Sequence, residues 1–480
     1  MSGARLRTPV DPFLLAHVAA AIAFIGAVFT VLDGIGSGTR TLVVAIATVA
    51  PLFVLARPWR LPWWLLTMAA AMPAAPLIVA LAHGELAGVD RIGKYAYFGM
   101  LLVSLLGWAI TPARRLWLGL GVVALGLVEL VPSVSSWVEG GDPSRLLVGL
   151  LQWHNQYADF ELVPYAVAAG IAVFGARALP LPRPIRAVLQ AAAGIAAAVI
   201  GASILPTASR YGIALGGAVS LVVLATAILV GIRRRQWWIL VRAAALAAGV
   251  AAAAIILTSP LLFPQSQGGV GPADPLHNVL ARSNAGNDSF NGRTPLWTAA
   301  LRMGAAHPLV GAGLLQFARY APCYAVQKLT ALEWHPHDDW LYGWAEGGIV
   351  GLLPLLALTA ALVVLAVRRL RPLPSMEALV GDAARWGGLV AIGAATAALV
   401  LEYDLVYPPI LAMIAAAGGL AGAGRPPAPG ATRTGRAALV AFLALALLVV
   451  VGFVAVAIDP LHGGAPWIVE RPYPSTCSAP

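Results

Sequence analysis

The sequence has few charged residues and only two cysteines. Asp, Glu, Lys and Arg make up 11% of the 480 residues, against about a quarter in soluble proteins, and 60% are hydrophobic. This composition excludes a soluble globular protein, because apolar runs long enough to cross a bilayer recur along the whole chain. Two cysteines exclude a disulfide framework and a cysteine-based metal cluster. We therefore predict an all-α polytopic membrane protein with about 12–13 transmembrane helices.

Arginine clusters predict the orientation of these spans. The formal net charge is +10, and every second loop contains arginine, which is typical of cytoplasmic loops and does not indicate a nucleic acid partner. The first apolar run is followed by no cleavage site and is interpreted as a retained span. The N-terminus is then cytoplasmic, and loop 259–340 and the tail from Asp459 lie outside. The predicted spans are 13–32, 41–56, 63–82, 95–112, 116–132, 158–176, 187–206, 211–232, 238–258, 341–367, 385–401, 406–423 and 437–458.

Three regions follow from this topology, with no internal repeat. Residues 1–150 are predicted to hold N-terminal transmembrane helices, 151–423 a central region with the long outer loop, and 424–480 a last transmembrane helix and a tail. In the loop, Thr294 is the predicted cap and Pro295 the first position of a helix on the membrane surface. Its predicted apolar stripe comprises Leu296, Trp297, Ala300, Leu301 and Gly304.

Several ionisable residues lie on the outer side, where the positive-inside rule does not account for them. Arg210 begins the eighth span, and a guanidinium beside a helix N-terminus is a suitable site for a phosphate group. Glu161 lies early in the sixth span, behind Asn155 and Gln156, and ionisable groups at membrane depth usually face a cavity or a partner. Glu161 is predicted either to contact a substrate or to pair with Arg210. For a single loop arginine the plain alternative is a solvated side chain.

Two histidines precede the tenth span. His335 and His337 are separated by one residue in an extended stretch, so both side chains can point to the same side. With Asp338 and Asp339 they offer a metal site, a general base or, for the aspartates, a helix cap. We favour the general base, because imidazole titrates near neutral pH.

Two further features are predicted to lie outside. Glu402, in the turn LEYDLVYPP between the eleventh and twelfth spans, is a candidate partner for an arginine or a sugar hydroxyl. Cys323 and Cys477 share the outer side, which favours a disulfide between the long loop and the tail in an oxidising compartment. Two free thiols are the alternative.

These segments resemble a known family. SRYGIAL (209–215), GRTPLWTAALRMGAAHPLVGAGLLQF (292–317) and HPHDDWLYGWAEGGIVGLL (335–353), in this order, are similar to the signature of the O-antigen ligase and polymerase superfamily. WHNQYADFELVP and LEYDLVYP resemble two further segments of that superfamily, so the resemblance covers residues 150–410. The chain departs from the pattern at Asp338, where the family usually has Asn. It departs again at His154-Asn155-Gln156, where many relatives read Asn-His.

The resemblance implies a GT-C-like glycosyltransferase whose catalytic core is the central region, 151–423. It implies a donor glycan on undecaprenyl diphosphate, chemistry at the periplasmic face of the bacterial inner membrane, and neither metal nor cofactor. Lipid A-core is the acceptor we expect, which would make the protein an O-antigen ligase of lipopolysaccharide biosynthesis. The sequence has no Walker or Rossmann fingerprint, in agreement with a lipid-linked donor within the membrane.

The resemblance also implies roles for individual residues. His337 is expected to deprotonate the acceptor hydroxyl, while Arg210 and Arg293 hold the departing diphosphate in an inverting displacement. The expected substrate-binding residues are His335, Asp338, Arg319, Asn155, Gln156, Glu161 and Glu402.

Other activities remain open. A glycan polymerase or a protein O-oligosaccharyltransferase would use the same donor with a glycan or protein acceptor. A transporter is a different class, since intramembrane charges also mark permeation paths. Transporters usually have repeated halves, whereas here the ionisable residues gather at one face.

Overall fold

The computed structural model describes residues 12–33, 39–57, 60–84, 88, 90–140, 146–259, 289–326, 335–370, 381–402, 405, 407–422 and 432–458. Within these ranges the chain is helical, without strands. The fifteen α-helices are α1 Pro12–Asp33, α2 Thr39–Leu55, α3 Trp63–His83, α4 Asp90–Trp108, α5 Pro112–Glu139, α6 His154–Phe174, α7 Arg183–Ser203, α8 Arg210–Arg234, α9 Trp237–Leu257, α10 Ser289–Ala306, α11 Phe317–Tyr324, α12 Asp339–Leu370, α13 Ala383–Leu401, α14 Pro408–Gly422 and α15 Thr432–Ile458.

The predicted all-α polytopic membrane fold is confirmed. Each predicted span overlaps one long helix; α10 and α11 are the two additional helices of the outer loop. In the described ranges, ten helices are long and apolar enough to cross a membrane, and Arg40–Leu55 and Pro408–Gly422 are shorter apolar helices. The remaining helix, α4, carries Asp90, Arg91 and Lys94 at its start.

Helix α6 lies at the centre of the bundle. It packs against α5, α7, α8, α13 and α14, and its residues from Asn155 to Phe174 are buried. Glycines allow the closest approach, to α13: a Cβ on Gly387 would lie 2.7 Å from Val167 Cα, and one on Gly170 would lie 3.0 Å from the carbonyl of Ala383. Close backbone contact of this kind is typical of helices packed within membranes. The second half of α6 is therefore held close against α13.

The outer-loop helix α10 differs from its prediction. It begins at Ser289, so Thr294 and Pro295 lie inside the helix and Thr294 is not its cap. A proline favours the first turn because it lacks an N–H, but a turn can precede it at the loss of one backbone hydrogen bond. Of the predicted stripe, Leu296 and Ala300 are buried, whereas Leu301 is 52% exposed on the surface of the protein. The buried side chains of α10 are Leu296, Ala299, Ala300 and Met303.

These four side chains belong to a small second hydrophobic core outside the main bundle. Phe317 and Ala321 of α11 and Tyr342 and Ala345 of α12 complete its packing. The ring of Phe317 meets that of Tyr342 edge to face, with centroids 6.2 Å apart. The core fixes the start of α10 relative to the start of α12, and these two helix starts carry Arg293 and His337.

Helix α12 is interrupted by a kink at Gly348, whose backbone angles are φ 56° and ψ −145°. The kink exposes backbone groups that bind the segment before α11. Ile349 N–H donates to the carbonyl of Pro308 (2.8 Å), and Ala312 N–H donates to that of Ala345 (3.1 Å). The HPLVGAG and GGIVG parts of the sequence therefore form one backbone junction.

Candidate active site

The carboxylate of Glu402 connects four elements. It follows the last residue of α13, and the side chain is fully buried. Its Oε1 accepts hydrogen bonds from Asn155 Nδ2 (2.9 Å) and from Arg293. Its Oε2 accepts from Gln156 Nε2 (3.4 Å) and lies 3.1 Å from His337 Nδ1. Four residues singled out in the sequence thus meet at one buried anion.

This anion is stabilised by its donors. Burial raises the pKa of Glu402, but the hydrogen bond and charge of His337 and the charge of Arg293 together hold that pKa below its ordinary value. An ionised carboxylate has no proton to donate, so the shared proton in the His337 contact is on Nδ1. Whenever the ring is neutral, Nε2 is then its basic nitrogen, the arrangement that a general base requires.

His337 is held in an unusual backbone conformation. Its φ is +54°, in the left-handed region that non-glycine residues seldom occupy. Such strained residues persist where surrounding contacts over-determine them, and they cluster at functional sites. Here the contact with Glu402 and the start of α12 constrain the residue from two sides. The rings of His335 and His337 stand edge to face, with centroids 4.4 Å apart.

The neighbours of His337 have shifted pKa values. Burial, followed by the charges of His337 and Arg293, holds the pKa of His335 well below its ordinary value, so this ring is neutral. Burial raises the pKa of Asp338 to about 6. Asp338 Oδ1 also accepts a hydrogen bond from Leu341 N–H at 2.8 Å, which makes it the cap of α12. The capping role considered for this residue is present in the structure.

Arg293 lies near the start of α10 and reaches across to the end of α13. It donates to the carbonyl of Leu401 and to Glu402, and its side chain remains 16% exposed. A guanidinium has five N–H donors, so these contacts leave donors for a second oxyanion. Arg293 can therefore hold Glu402 and bind a phosphate group together.

Arg210 begins α8, as predicted. Ser209 caps this helix by accepting from Gly212 N–H at 3.2 Å. Tyr211 donates to Asp159 of α6 at 2.9 Å, one turn beyond Asn155. The N-terminus of α8 therefore lies at the same end of the bundle as Glu402.

Glu161 lies deeper in α6 and is fully buried. A Cβ added to Gly126 of α5 would lie 3.0 Å from Glu161 Oε2, so this carboxyl packs on α5. Within the residues that the structure describes, neither oxygen of this buried carboxyl has a hydrogen-bond partner, so the predicted pairing with Arg210 is wrong, while the predicted substrate contact stays a prediction. Arg319 lies on α11, is exposed and stacks on Tyr320, with 5.2 Å from its guanidinium carbon to the ring centre. Its substrate role also stays a prediction.

In the described parts of the chain, no group of three His, Cys, Asp or Glu side chains is placed to hold a metal ion. Cys323 lies on α11, but Cys477 lies outside the described residues, so the disulfide between them stays a prediction.

Residues 195–356 match the family model described as O-antigen ligase. This segment of the chain is similar to the O-antigen ligase family. The match supports the O-antigen ligase and polymerase superfamily and, in general, a glycosyltransferase-type activity. No curated protein matches the chain.

A second buried ion pair, which was not predicted from the sequence, joins Glu346 in this matched region to Arg91 outside it. Arg91 at the start of α4 donates to Glu346 Oε2 at 2.7 Å and to the hydroxyl of Tyr342. Glu346 also accepts from the N–H groups of Leu315 and Phe317, each at 2.9 Å, and so holds the start of α11. This pair fixes α12 to α4 beside the kink. A signal did exist, because Arg91 is an outer-side cation that the positive-inside rule leaves unexplained.

Proposed function

We propose that the protein transfers a glycan from undecaprenyl diphosphate to a hydroxyl of lipid A-core, at the periplasmic face of the bacterial inner membrane. The observation that carries this proposal is the contact between His337 Nδ1 and the ionised, fully buried Glu402. It resembles the way a buried carboxylate orients the histidine base of a catalytic triad. In this proposal Nε2 is the nitrogen that takes the proton of the acceptor hydroxyl.

The reaction is a single displacement at the anomeric carbon. The acceptor oxygen forms a bond to that carbon while the bond between the carbon and the diphosphate oxygen breaks, and undecaprenyl diphosphate leaves with the electron pair. His337 Nε2 takes the hydroxyl proton. Arg293 and Arg210, together with the N-terminus of α8, stabilise the charge that grows on the diphosphate. A diphosphate stabilised in this way leaves without protonation.

The test is the surface glycan of a deletion strain complemented with wild type, His337→Ala or the matched control Glu139→Gln. Glu139 is exposed at the end of α5. We expect equal expression of all three proteins. With His337→Ala, long chains should disappear from lipid A-core and accumulate on the carrier lipid.

Two outcomes would contradict this proposal in different ways. Chains reduced to a single repeat unit on lipid A-core would assign polymerisation instead of ligation. An unchanged profile with His337→Ala would remove the general base from the mechanism.

A further inference from the structure

A cleft opens on the lipid-facing surface of the bundle between α7 and α9, with a volume of about 420 Å³. Small side chains form most of its walls, and Gln190 and Arg242 stand at one end. Its lining residues include Gln190, Gly194, Ala198, Arg242, Ala245 and Gly249. A trough lined mostly by small apolar side chains suits a hydrocarbon chain, because small residues leave room that larger side chains would fill.

Two arginines converge at the polar end of the cleft. The guanidinium of Arg242 stacks on the indole of Trp238 at 4.4 Å, and that of Arg177 lies 5.3 Å from the same ring. Gly175 at the end of α6 is adjacent, since a Cβ there would lie 3.8 Å from Arg242 Nη1. In the described part of the chain, neither arginine forms an ion pair with a carboxylate. Two like charges beside one ring favour a bound anion.

This cleft is separate from the candidate active site. Asn155 is in the first turn of α6 and Gly175 follows its last residue, so the two ends of α6 are about 30 Å apart at 1.5 Å per residue. That distance is about the thickness of the hydrocarbon core. The cleft therefore opens at the opposite leaflet, where the arginine pattern predicts the cytoplasmic side.

We propose that this cleft binds an anionic phospholipid of the cytoplasmic leaflet, with its phosphate on Arg177 and Arg242 and an acyl chain along α7 and α9. The cleft therefore provides a binding partner for both the headgroup and the acyl chain of the lipid. Basic pockets between helices on the cytoplasmic side are known to favour anionic headgroups. Trp238 holds the two guanidiniums in place, and the groove supplies apolar contact that a soluble anion cannot use.

The test is native mass spectrometry of the full-length protein titrated with phosphatidylglycerol or with phosphatidylcholine of the same chains. Arg177→Gln/Arg242→Gln should weaken phosphatidylglycerol binding by about fivefold for each arginine and leave phosphatidylcholine unchanged. The matched control is Arg183→Gln/Arg233→Gln, which removes the same charge from exposed positions at the same end of the bundle. An equal loss of phosphatidylglycerol binding in both double variants would show that the effect comes from general surface charge, and would contradict a specific lipid site at the cleft.

Separate variants test whether the cleft binds an acyl chain. Ala191 lines the cleft, whereas the neighbouring Val188 is 66% exposed and does not line it. Ala191→Phe should displace phosphatidylglycerol, and Val188→Phe should not. Glycerol 3-phosphate at millimolar concentration should fail to compete. Full competition by this headgroup analogue, or normal lipid binding to Ala191→Phe, would show that the cleft holds no chain. Unchanged melting temperatures and transfer activity in all variants separate this result from misfolding and from the proposed function.

Discussion

The residue that organises the candidate site is Glu402, because one buried carboxylate receives Asn155, Gln156, Arg293 and His337. The sequence proposed it as a partner for an arginine or a sugar hydroxyl. The structure gives it an arginine and also the histidine. Its chemical importance lies in fixing which nitrogen of His337 carries a proton, and this distinguishes it from a residue that only packs.

Exchanging Glu402 for glutamine should therefore act on catalysis. The amide would donate to His337 Nδ1, so the ring proton would move to Nε2 and the base would be lost. We expect kcat to fall by about 10²- to 10⁴-fold, the range for a lost general base. The measurement is transfer by purified protein in liposomes that contain lipid-linked glycan. The double variant His337→Ala/Glu402→Gln should be no slower than either single variant; additive losses would contradict coupled action.

Asp338 supplies a pH-dependent prediction at the same scale. Burial raises the pKa of Asp338 to about 6 from an ordinary value of 3.8. The folded protein thus binds this proton more tightly than the unfolded chain, so the stabilisation is complete below the ordinary pKa and is lost as pH rises through about 6. Asp338→Asn stays neutral and can still cap α12. The melting temperature of Asp338→Asn should exceed that of wild type at about pH 7.5, and the difference should be smaller at about pH 4.5.

The control for this prediction is Glu139→Gln, which changes an exposed carboxylate and should have the same small effect at both pH values. A gain for Asp338→Asn that is equal at both pH values would contradict the assigned titration. A loss of stability at both would indicate that the ionised carboxylate is the better cap.

At the scale of elements, the kink in α12 determines whether the segment before α11 can pack against α12. A Cβ on Gly348 would lie 2.7 Å from three backbone atoms of residues 308–311, and its φ of 56° disfavours any side chain. Gly348→Ala should destabilise the protein by about 2–5 kcal/mol through strain and overpacking. Gly347→Ala is the matched control, because its Cβ would meet only Val79 at 3.6 Å. Melting temperature and proteolysis of the outer loop measure the difference; equal melting temperatures would contradict it.

The ion pair between α4 and α12 is the second junction of these elements. Arg91→Gln leaves the carboxylate of Glu346, whose side chain is 1% exposed, without its cation. Breaking a buried pair in this way usually costs about 3–5 kcal/mol. The loss should appear in the melting temperature, whereas Lys94→Gln, which removes a pair with the more exposed Asp90, should cost less. If both variants melt alike, the Arg91 pair is not a structural junction.

The sequence predicted the positions of the helices better than the contacts between them. Hydropathy located every membrane-spanning helix, since a span needs a fixed length of apolar sequence. The ends agree within five residues, except at the end of α5, which lies seven residues beyond its prediction. The predicted start of α10 was wrong because proline is favoured in the first helical turn but does not prevent another turn from preceding it. Arg91 and Glu346 are 255 positions apart. Nothing local in the sequence pairs them, and the same holds for His337 and Glu402.

At the scale of the whole molecule, α6 connects two chemically different ends. Asn155 and Gln156 contact Glu402 at one end, and Gly175 adjoins Arg242 at the other. Since α6 is buried along its length, it holds these ends at a constant separation. The proposed transfer reaction requires that the Glu402 end faces the periplasm, and this orientation is open to direct measurement.

We expect cysteine labelling to give that orientation. In a Cys323→Ser/Cys477→Ser background, Arg302→Cys on α10 and Arg233→Cys on α8 each place one thiol at an exposed position. A membrane-impermeant maleimide should label Arg302→Cys in intact spheroplasts, because α10 packs beside the Glu402 site. Arg233→Cys, in the last turn of α8, should react only after permeabilisation. The reverse pattern would place the candidate site in the cytoplasm, where a donor carried by a lipid of the outer leaflet cannot reach it.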